Sequence, residues 1–204
     1  MESSVLLTGA HRYLRFYSTP LGRAVLSREV ALVKSELADH EPVLDVGCGP
    51  GAFEQLSGMR MVGLDVDRKM LELASPDAHC TFMQGAAEHL PFREGSFGAV
   101  LFITSLEFVH DVEATLTEAC RVLEVEGRLL ALVLNPLSDY FKEGARRGGY
   151  FARAKASPED VMRSAVAHFE LEGSYWLGIS GQEVFDSDNP KEASLCVIKG
   201  IKST

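Results

Sequence analysis

Apolar positions fall into two regimes along this chain of 204 residues. Up to His40 they recur at helical spacing, with Val25, Leu32, Val33 and Leu37 on about one face, Thr19 placed to cap and Pro20 at the first helical position. The pattern predicts one amphipathic helix ahead of the core, within an N-terminal helical cap at about residues 1–40. From Pro42 short apolar runs alternate with helical segments: strand 42–47, helix 51–57, strand 60–65, helix 67–74, strand 79–83, strand 97–104, helix 111–124 and strand 128–134. Such alternation calls for a parallel sheet with crossover helices, an α/β fold.

After Asn135 the pattern changes to a helical stretch carrying Lys142, Arg146 and Arg147. Ser157-Pro158-Glu159-Asp160 then joins an N-cap, a first-turn proline and a capping-box acid, which starts a helix over 161–169. Two β-like segments, around 169–180 and 193–201, close the chain as an antiparallel hairpin whose long loop is the polar run from Gly181 to Lys191. The expected architecture is a Rossmann-like, doubly wound, mostly parallel seven-stranded sheet ending in that hairpin. No repeat or linker divides residues 1–204, so one domain is expected.

Composition narrows the function. With 46% hydrophobic residues the chain can build a core without disulfides or metal. A net charge of −9 disfavours a protein that works by neutralising phosphate backbones. Cys48, Cys80, Cys120 and Cys196 show no zinc-ligand spacing and read as reduced thiols, so no metal is expected. The opening MESSVLL lacks a basic n-region, and no apolar run reaches the roughly 18 residues of a membrane span. These features predict a cytoplasmic protein working without nucleic acid or membrane, compatible with a homodimer.

The richest segment is Leu44 to Gly51, LDVGCGPG, where a buried strand turns into a helix through three glycines. Glycine lets a ligand approach the backbone and permits φ > 0. Gly47, Gly49 and Ala52 also satisfy the dinucleotide spacing G-x-G-x-x-G/A, and Asp65 follows at about the distance where an acid takes ribose hydroxyls. Asp45 separates the alternatives. A pyrophosphate on this loop would put like charges near its carboxylate, at about 4 kcal/mol for a pair 4 Å apart in an effective dielectric near 20. A cofactor bearing a sulfonium and an ammonium gains from the same carboxylate, so Asp45 favours S-adenosylmethionine over NAD.

These residues resemble a known family. Val43–Gly51, VLDVGCGPG, is similar to the first motif of class I S-adenosylmethionine-dependent methyltransferases. Val62–Asp67, VGLDVD, resembles the strand whose terminal acid binds both ribose hydroxyls, a role the resemblance places on Asp65, beside Val66. Gly85–Phe92, GAAEHLPF, resembles the G-D-A-E-x-L-P-F segment of the quinone-biosynthesis-like, small-molecule branch, where Ala87 and Glu88 would border the adenine. Ala86 stands where that family often has an aspartate hydrogen-bonded to the adenine amino group; a charge-assisted bond of that kind is worth about 1.5–3 kcal/mol. Ser96–Asp111, Glu118–Leu130 and the lead-in Tyr13–Gly22 resemble further family segments, with Val125-Glu126 in place of Pro-Gly and a looser corner expected there. The cofactor set implied is Tyr13, Tyr17, Asp45, Gly47, Cys48, Gly49, Asp65, Val66, Ala87, Glu88 and Thr104.

The reaction implied is methyl transfer to a small-molecule acceptor by in-line displacement, in which the protein mainly holds the nucleophile about 3–3.5 Å from the activated carbon. The loop after the fourth strand offers Thr104, Ser105, Glu107 and His110, and that after the fifth Asn135, Ser138 and Tyr140. Glu107 and His110 are the candidate catalytic bases. The aromatics Tyr13, Phe16 and Tyr17 are candidates for a lid whose π faces favour a sulfonium. Trp176 reads as packing and the Lys142, Arg146, Arg147 cluster as a solvated helix face. Two rival functions stay open: a regulatory S-adenosylmethionine-binding protein without turnover, and an NAD-dependent oxidoreductase.

Overall fold

The computed structural model describes residues 9–75 and 79–203, so the opening of the expected helical cap, MESSVLLT, lies outside the described residues. Two helices replace the single one expected before the core, α1 (Gly9–Ser18) and α2 (Pro20–Leu37). The break has a local cause. Proline at position 20 disfavours helical backbone in the residue before it, and Thr19 adopts an extended conformation whose hydroxyl accepts from the Gly22 N–H at 3.0 Å. The α2 face that meets the sheet, Leu21, Val25, Val30, Val33 and Leu37, is buried, each side chain worth about 1.5–3 kcal/mol. Glu29 lies on the same face, also buried.

The sheet follows as β1 (Val43–Val46), β2 (Met61–Asp65), β3 (Cys80–Gln84), β4 (Phe97–Ile103), β5 (Leu123–Leu134), β6 (Phe169–Ser180), β7 (Glu183–Phe185) and β8 (Ala193–Lys202). Between them run α3 (Ala52–Ser57), α4 (Arg68–Leu71), α5 (Val112–Val122), α6 (Asp139–Arg146) and α7 (Pro158–Ala165). The strand order is β3-β2-β1-β4-β5-β8-β6-β7, with β1 to β5 parallel and β6 to β8 antiparallel. The α/β Rossmann-like fold is therefore present, with eight strands rather than seven. The extra strand, β7, lies in the polar run read as loop, where Val184 and Phe185 give a three-residue segment that pairs with β6. β8 slots between β5 and β6, so the closing hairpin joins the sheet through its second strand.

All seven residues of β4 are buried, as expected for a parallel strand covered on both faces. One face packs Val43, Met61, Leu101 and Leu130 against α2 and α3; the other packs Leu44, Val100, Phe102 and Leu129 against α5 and α7. The capping box at Ser157 is present, with Asp160 bonded to the Ser157 N–H at 3.0 Å. The corner at Val125-Glu126 becomes part of an extended β5, with a register shift opposite Phe97 and Ala99. Glu126 there adopts φ 60°, the left-handed region that favours glycine. No described helix is long and apolar enough to cross a membrane.

Candidate functional site

The strand order reverses between β1 and β4, and in open α/β sheets ligands bind at that point, outside the strands' carboxyl ends. A cavity of about 440 Å³ opens there, between the loops after β1, β2, β3 and β4. The glycine loop forms its floor. Gly47 has φ 86°, and a Cβ at that position would stand 2.5 Å from the Ser105 Cβ. Ser105 is fixed in turn, its hydroxyl donating to the Val46 carbonyl at 2.7 Å. Only glycine lets β1 end this close to the β4 loop. Gly49, at φ 57°, carries the Tyr13 ring across it, 3.7 Å from where a Cβ would be.

Asp65 closes β2 at the cavity edge. Its two carboxyl oxygens accept from the Gly49 N–H and the Asp67 N–H, each at 2.8 Å. Burial raises its pKa, and those backbone bonds partly oppose the rise. Each oxygen keeps a lone pair, so the geometry that ties Asp65 to the glycine loop leaves it able to accept from a vicinal diol. Val66, Met70, Ala86, Ala87 and Glu88 continue this wall. Glu88 also holds the opposite loop, accepting from the His110 N–H at 2.8 Å and the Asp111 N–H at 3.3 Å. Burial pushes its carboxyl up, but the backbone hydrogen bonds outweigh that and hold it below the usual range.

The other end of the cavity is aromatic. Tyr13 reaches it from α1, and Thr104, Phe108, Val109 and His110 from the segment after β4. Tyr150 enters from the loop after α6, its ring centroid 4.6 Å from that of Phe108 and its hydroxyl donating to the Thr104 carbonyl at 2.7 Å. Thr104 itself has φ 45°, a conformation uncommon outside glycine. Tyr150 follows Gly148 and Gly149, both in left-handed conformation.

Of the residues picked from sequence, Tyr13, Gly47, Gly49, Asp65, Val66, Ala87, Glu88, Thr104 and His110 line one cavity. Tyr17, Asp45, Cys48 and Glu107 stand behind it. Tyr17 packs edge-on to Tyr13, hydroxyl to hydroxyl at 3.4 Å. Cys48 is buried and its thiol is pushed up, by burial and then by the Glu54, Asp45 and Asp65 carboxylates, so it stays protonated. Glu107, read as a candidate base, is fully buried; one carboxyl oxygen accepts from the Leu134 N–H at 2.9 Å and the other finds no donor among the described residues. Burial raises it to about 7.

Asp45 lies under the loop beside Glu54 of α3. Asp45 Oδ1 and both Glu54 oxygens have no hydrogen-bond donor among the described residues. Burial raises both acids, Glu54 to about 7; Glu54 pushes Asp45 up further, while Asp45 opposes the rise of Glu54. A proton held between the two is the consequence. A cation arriving on the loop relieves this constraint and a pyrophosphate worsens it, so the preference read from Asp45 keeps its sign although the acid is not at the surface. The unpaired Asp45 oxygen, the Asp65 acceptor pair and the glycine floor fit S-adenosylmethionine.

Sequence reading passed over two residues. Tyr150 stands in no motif, and only the Gly-Gly pair before it hinted at a turn. Glu29 had a clearer signal: it falls four residues after Val25 and four before Val33, on an apolar helix face. Its Oε2 has no donor among the described residues, and burial raises its pKa to about 8.

The fold and this cavity define an α/β enzyme class that binds a nucleoside-bearing cofactor at the sheet's switch point. Residues 44–131 match the family described as methyltransferase domain. An uncharacterized protein of Mycobacterium tuberculosis is 34% identical over 150 residues, 72% of this chain and 52% of that protein. The demethylmenaquinone methyltransferase of Thermobifida fusca is 32% identical over 119 residues, 54% of this chain and 50% of that one. The chain thus spans about half the length of the curated relatives it matches. Among solved structures, an S-adenosylmethionine-dependent methyltransferase of Thermotoga maritima, described as a possible histamine N-methyltransferase, superposes with TM-score 0.78 at 24% identity, covering 94% of this chain and 95% of that one. The chain is thus similar to S-adenosylmethionine-dependent methyltransferases: residues 44–131 match a methyltransferase domain, a demethylmenaquinone methyltransferase is among the relatives, and the fold is shared with a solved methyltransferase.

Proposed function

We propose that this protein transfers the methyl group of S-adenosylmethionine to a small-molecule acceptor. The observation that carries the reading is the cavity at the switch point, in which Asp65, the left-handed glycine loop and Tyr13 converge. Bound there, the cofactor supplies a methyl carbon already activated by its sulfonium. Asp65 accepts from the ribose hydroxyls, and the Gly47 to Gly49 backbone lies against the methionine portion. Val66, Ala87 and Glu88 border the base. Ala86 has no side chain to bond the adenine amino group, so the base is held by packing. Tyr13 covers the methyl end and shields it from water, with Tyr17 bracing its ring and Phe16 packed in turn on Tyr17. His110, exposed at the rim, takes up a proton from the acceptor.

Cavity size supports a small acceptor. Ligand sites for drug-sized molecules run from about 300 to 1,000 Å³, and 440 Å³ leaves little room beside a nucleoside cofactor. Demethylmenaquinone methyltransferases among the relatives also act, by their name, on a small molecule.

Calorimetry tests the cofactor assignment. S-adenosylhomocysteine should bind the wild-type chain, and Asp65→Ala should weaken it tenfold or more, since hydrogen bonds to a charged group are worth about 1.5–3 kcal/mol. NADH binding without S-adenosylhomocysteine binding would refute it.

A further inference from the structure

The two ends of the cavity differ in what stands behind them. At the acceptor end the walls are the rings of Tyr13, Phe108 and Tyr150, and among the described lining residues there is no lysine or arginine. Behind those rings sit two carboxyls that the cofactor assignment leaves without a role. Glu29, on α2, is close enough for its charge to disfavour ionisation of Tyr13, Tyr17 and Tyr150. Glu107 acts in the same way on Tyr150, and Arg153, outside the lining, opposes the two acids more weakly. Glu29 Oε2 and Glu107 Oε2 are both buried without a hydrogen-bond donor among the described residues.

Deepening the proposed function, on which it rests, we infer that the methyl acceptor is an amine, recognised as a cation by the aromatic, acid-backed end of the cavity. A carboxylate, phosphate or phenolate acceptor would meet no lysine or arginine of the described lining to pair with it. A neutral acceptor would give the two buried acids no countercharge. An ammonium group answers both features: ring faces attract a cation within about 6 Å of their centroids, and its charge favours ionisation of Glu29 and Glu107 behind them, which burial otherwise holds raised to about 8 and about 7.

The chemistry balances with groups already named. The ammonium gives one proton to His110 at the rim, and its freed lone pair forms the N–C bond. The C–S electron pair departs with sulfur, and the product is a methylated ammonium that His110 need not reprotonate. Glu29 and Glu107 act as positioning residues, since neither lines the cavity.

The test uses the protein loaded with S-adenosylhomocysteine and three probes on one frame: 2-phenylethylamine, 2-phenylethanol and phenylacetate. The amine should bind at least tenfold more tightly than the alcohol or the carboxylate. Glu29→Gln should lose that preference while its affinity for S-adenosylhomocysteine, which has no charge at sulfur, stays within about twofold. Equal binding of the alcohol, tighter binding of the carboxylate, binding of none of the three, or a preference that survives in a folded Glu29→Gln chain would each overturn the inference. The wild-type charge series stands alone if that variant fails to fold. Failure of S-adenosylhomocysteine to bind the wild type is a separate outcome, overturning the cofactor reading and this inference with it.

Discussion

The donor end and the acceptor end of the cavity are built in different ways. At the donor end, Gly47, Gly49 and Asp65 act through backbone geometry and sit on consecutive β-strand termini, within 19 residues of one another. At the acceptor end, Tyr13, Glu29, Phe108 and Tyr150 act through side chains, and they come from α1, α2, the turn after β4 and the loop after α6. A backbone device constrains residue type at fixed spacing and so leaves a motif. A side-chain assembly drawn from four distant segments leaves none, and it is free to change when the acceptor changes.

The largest effect that would break this contrast is expected at Gly47. A valine there meets both the Ser105 side chain and a φ of 86°, strain of about 1–3 kcal/mol for the backbone alone. Denaturant unfolding should show a loss of about 3 kcal/mol, and S-adenosylhomocysteine binding should fall below detection. Retained binding would mean the loop is not the floor of the site.

The next effect belongs to the acceptor end and appears as pH dependence. Glu29 is raised by burial from 4.5 to about 8, so between those values the folded chain holds a proton that the unfolded chain has released. Stability therefore falls as pH rises through that window, with up to about 1.4 kcal/mol per pH unit from this one group. Tyr13 and Tyr17 of α1, Asp45 of β1 and Tyr150 surround it, and none supplies a compensating positive charge. Thermal melts from pH 5 to 8 should slope downward for the unliganded wild type and more shallowly for Glu29→Gln. Identical slopes would show that Glu29 is not held in the buried state described.

How much of this was legible follows the same division. The parallel core, the Thr19 and Ser157 caps and the glycine turn after β1 were readable because each rests on local spacing: apolar runs, a cap before proline, glycines after a strand. The break between α1 and α2 was half visible, since Thr19-Pro20 marks a helix start without saying that another helix precedes it. β7 was missed because three residues inside a polar run carry too little pattern. Glu107 was picked as a candidate general base, but its hydrogen bond to Leu134, which turns it behind the wall, is a tertiary contact that spacing cannot show.

Smaller changes sharpen the contrast. Tyr150→Phe removes the hydroxyl donated to Thr104 and leaves that carbonyl short of one partner, an expected cost of about 1 kcal/mol in stability. Urea unfolding should show that cost, with S-adenosylhomocysteine affinity unchanged; a loss of cofactor affinity would place Tyr150 at the donor end instead. Glu126→Gly relieves left-handed strain of about 1–2 kcal/mol at the price of about 0.5–1 kcal/mol in chain entropy. The variant should be about 0.5 kcal/mol more stable, with neither end of the site affected.

The central claim, that one cavity holds two independently built ends, is tested most directly by calorimetric titration of S-adenosylhomocysteine, and then of 2-phenylethylamine, into Asp65→Ala and Glu29→Gln chains. Saturating S-adenosylhomocysteine is kept present for the second titration. The account predicts that Asp65→Ala loses cofactor affinity while keeping amine affinity once saturated, and that Glu29→Gln does the reverse. If each substitution weakened both ligands alike, or Glu29→Gln left amine binding intact, the division between the two ends would be contradicted.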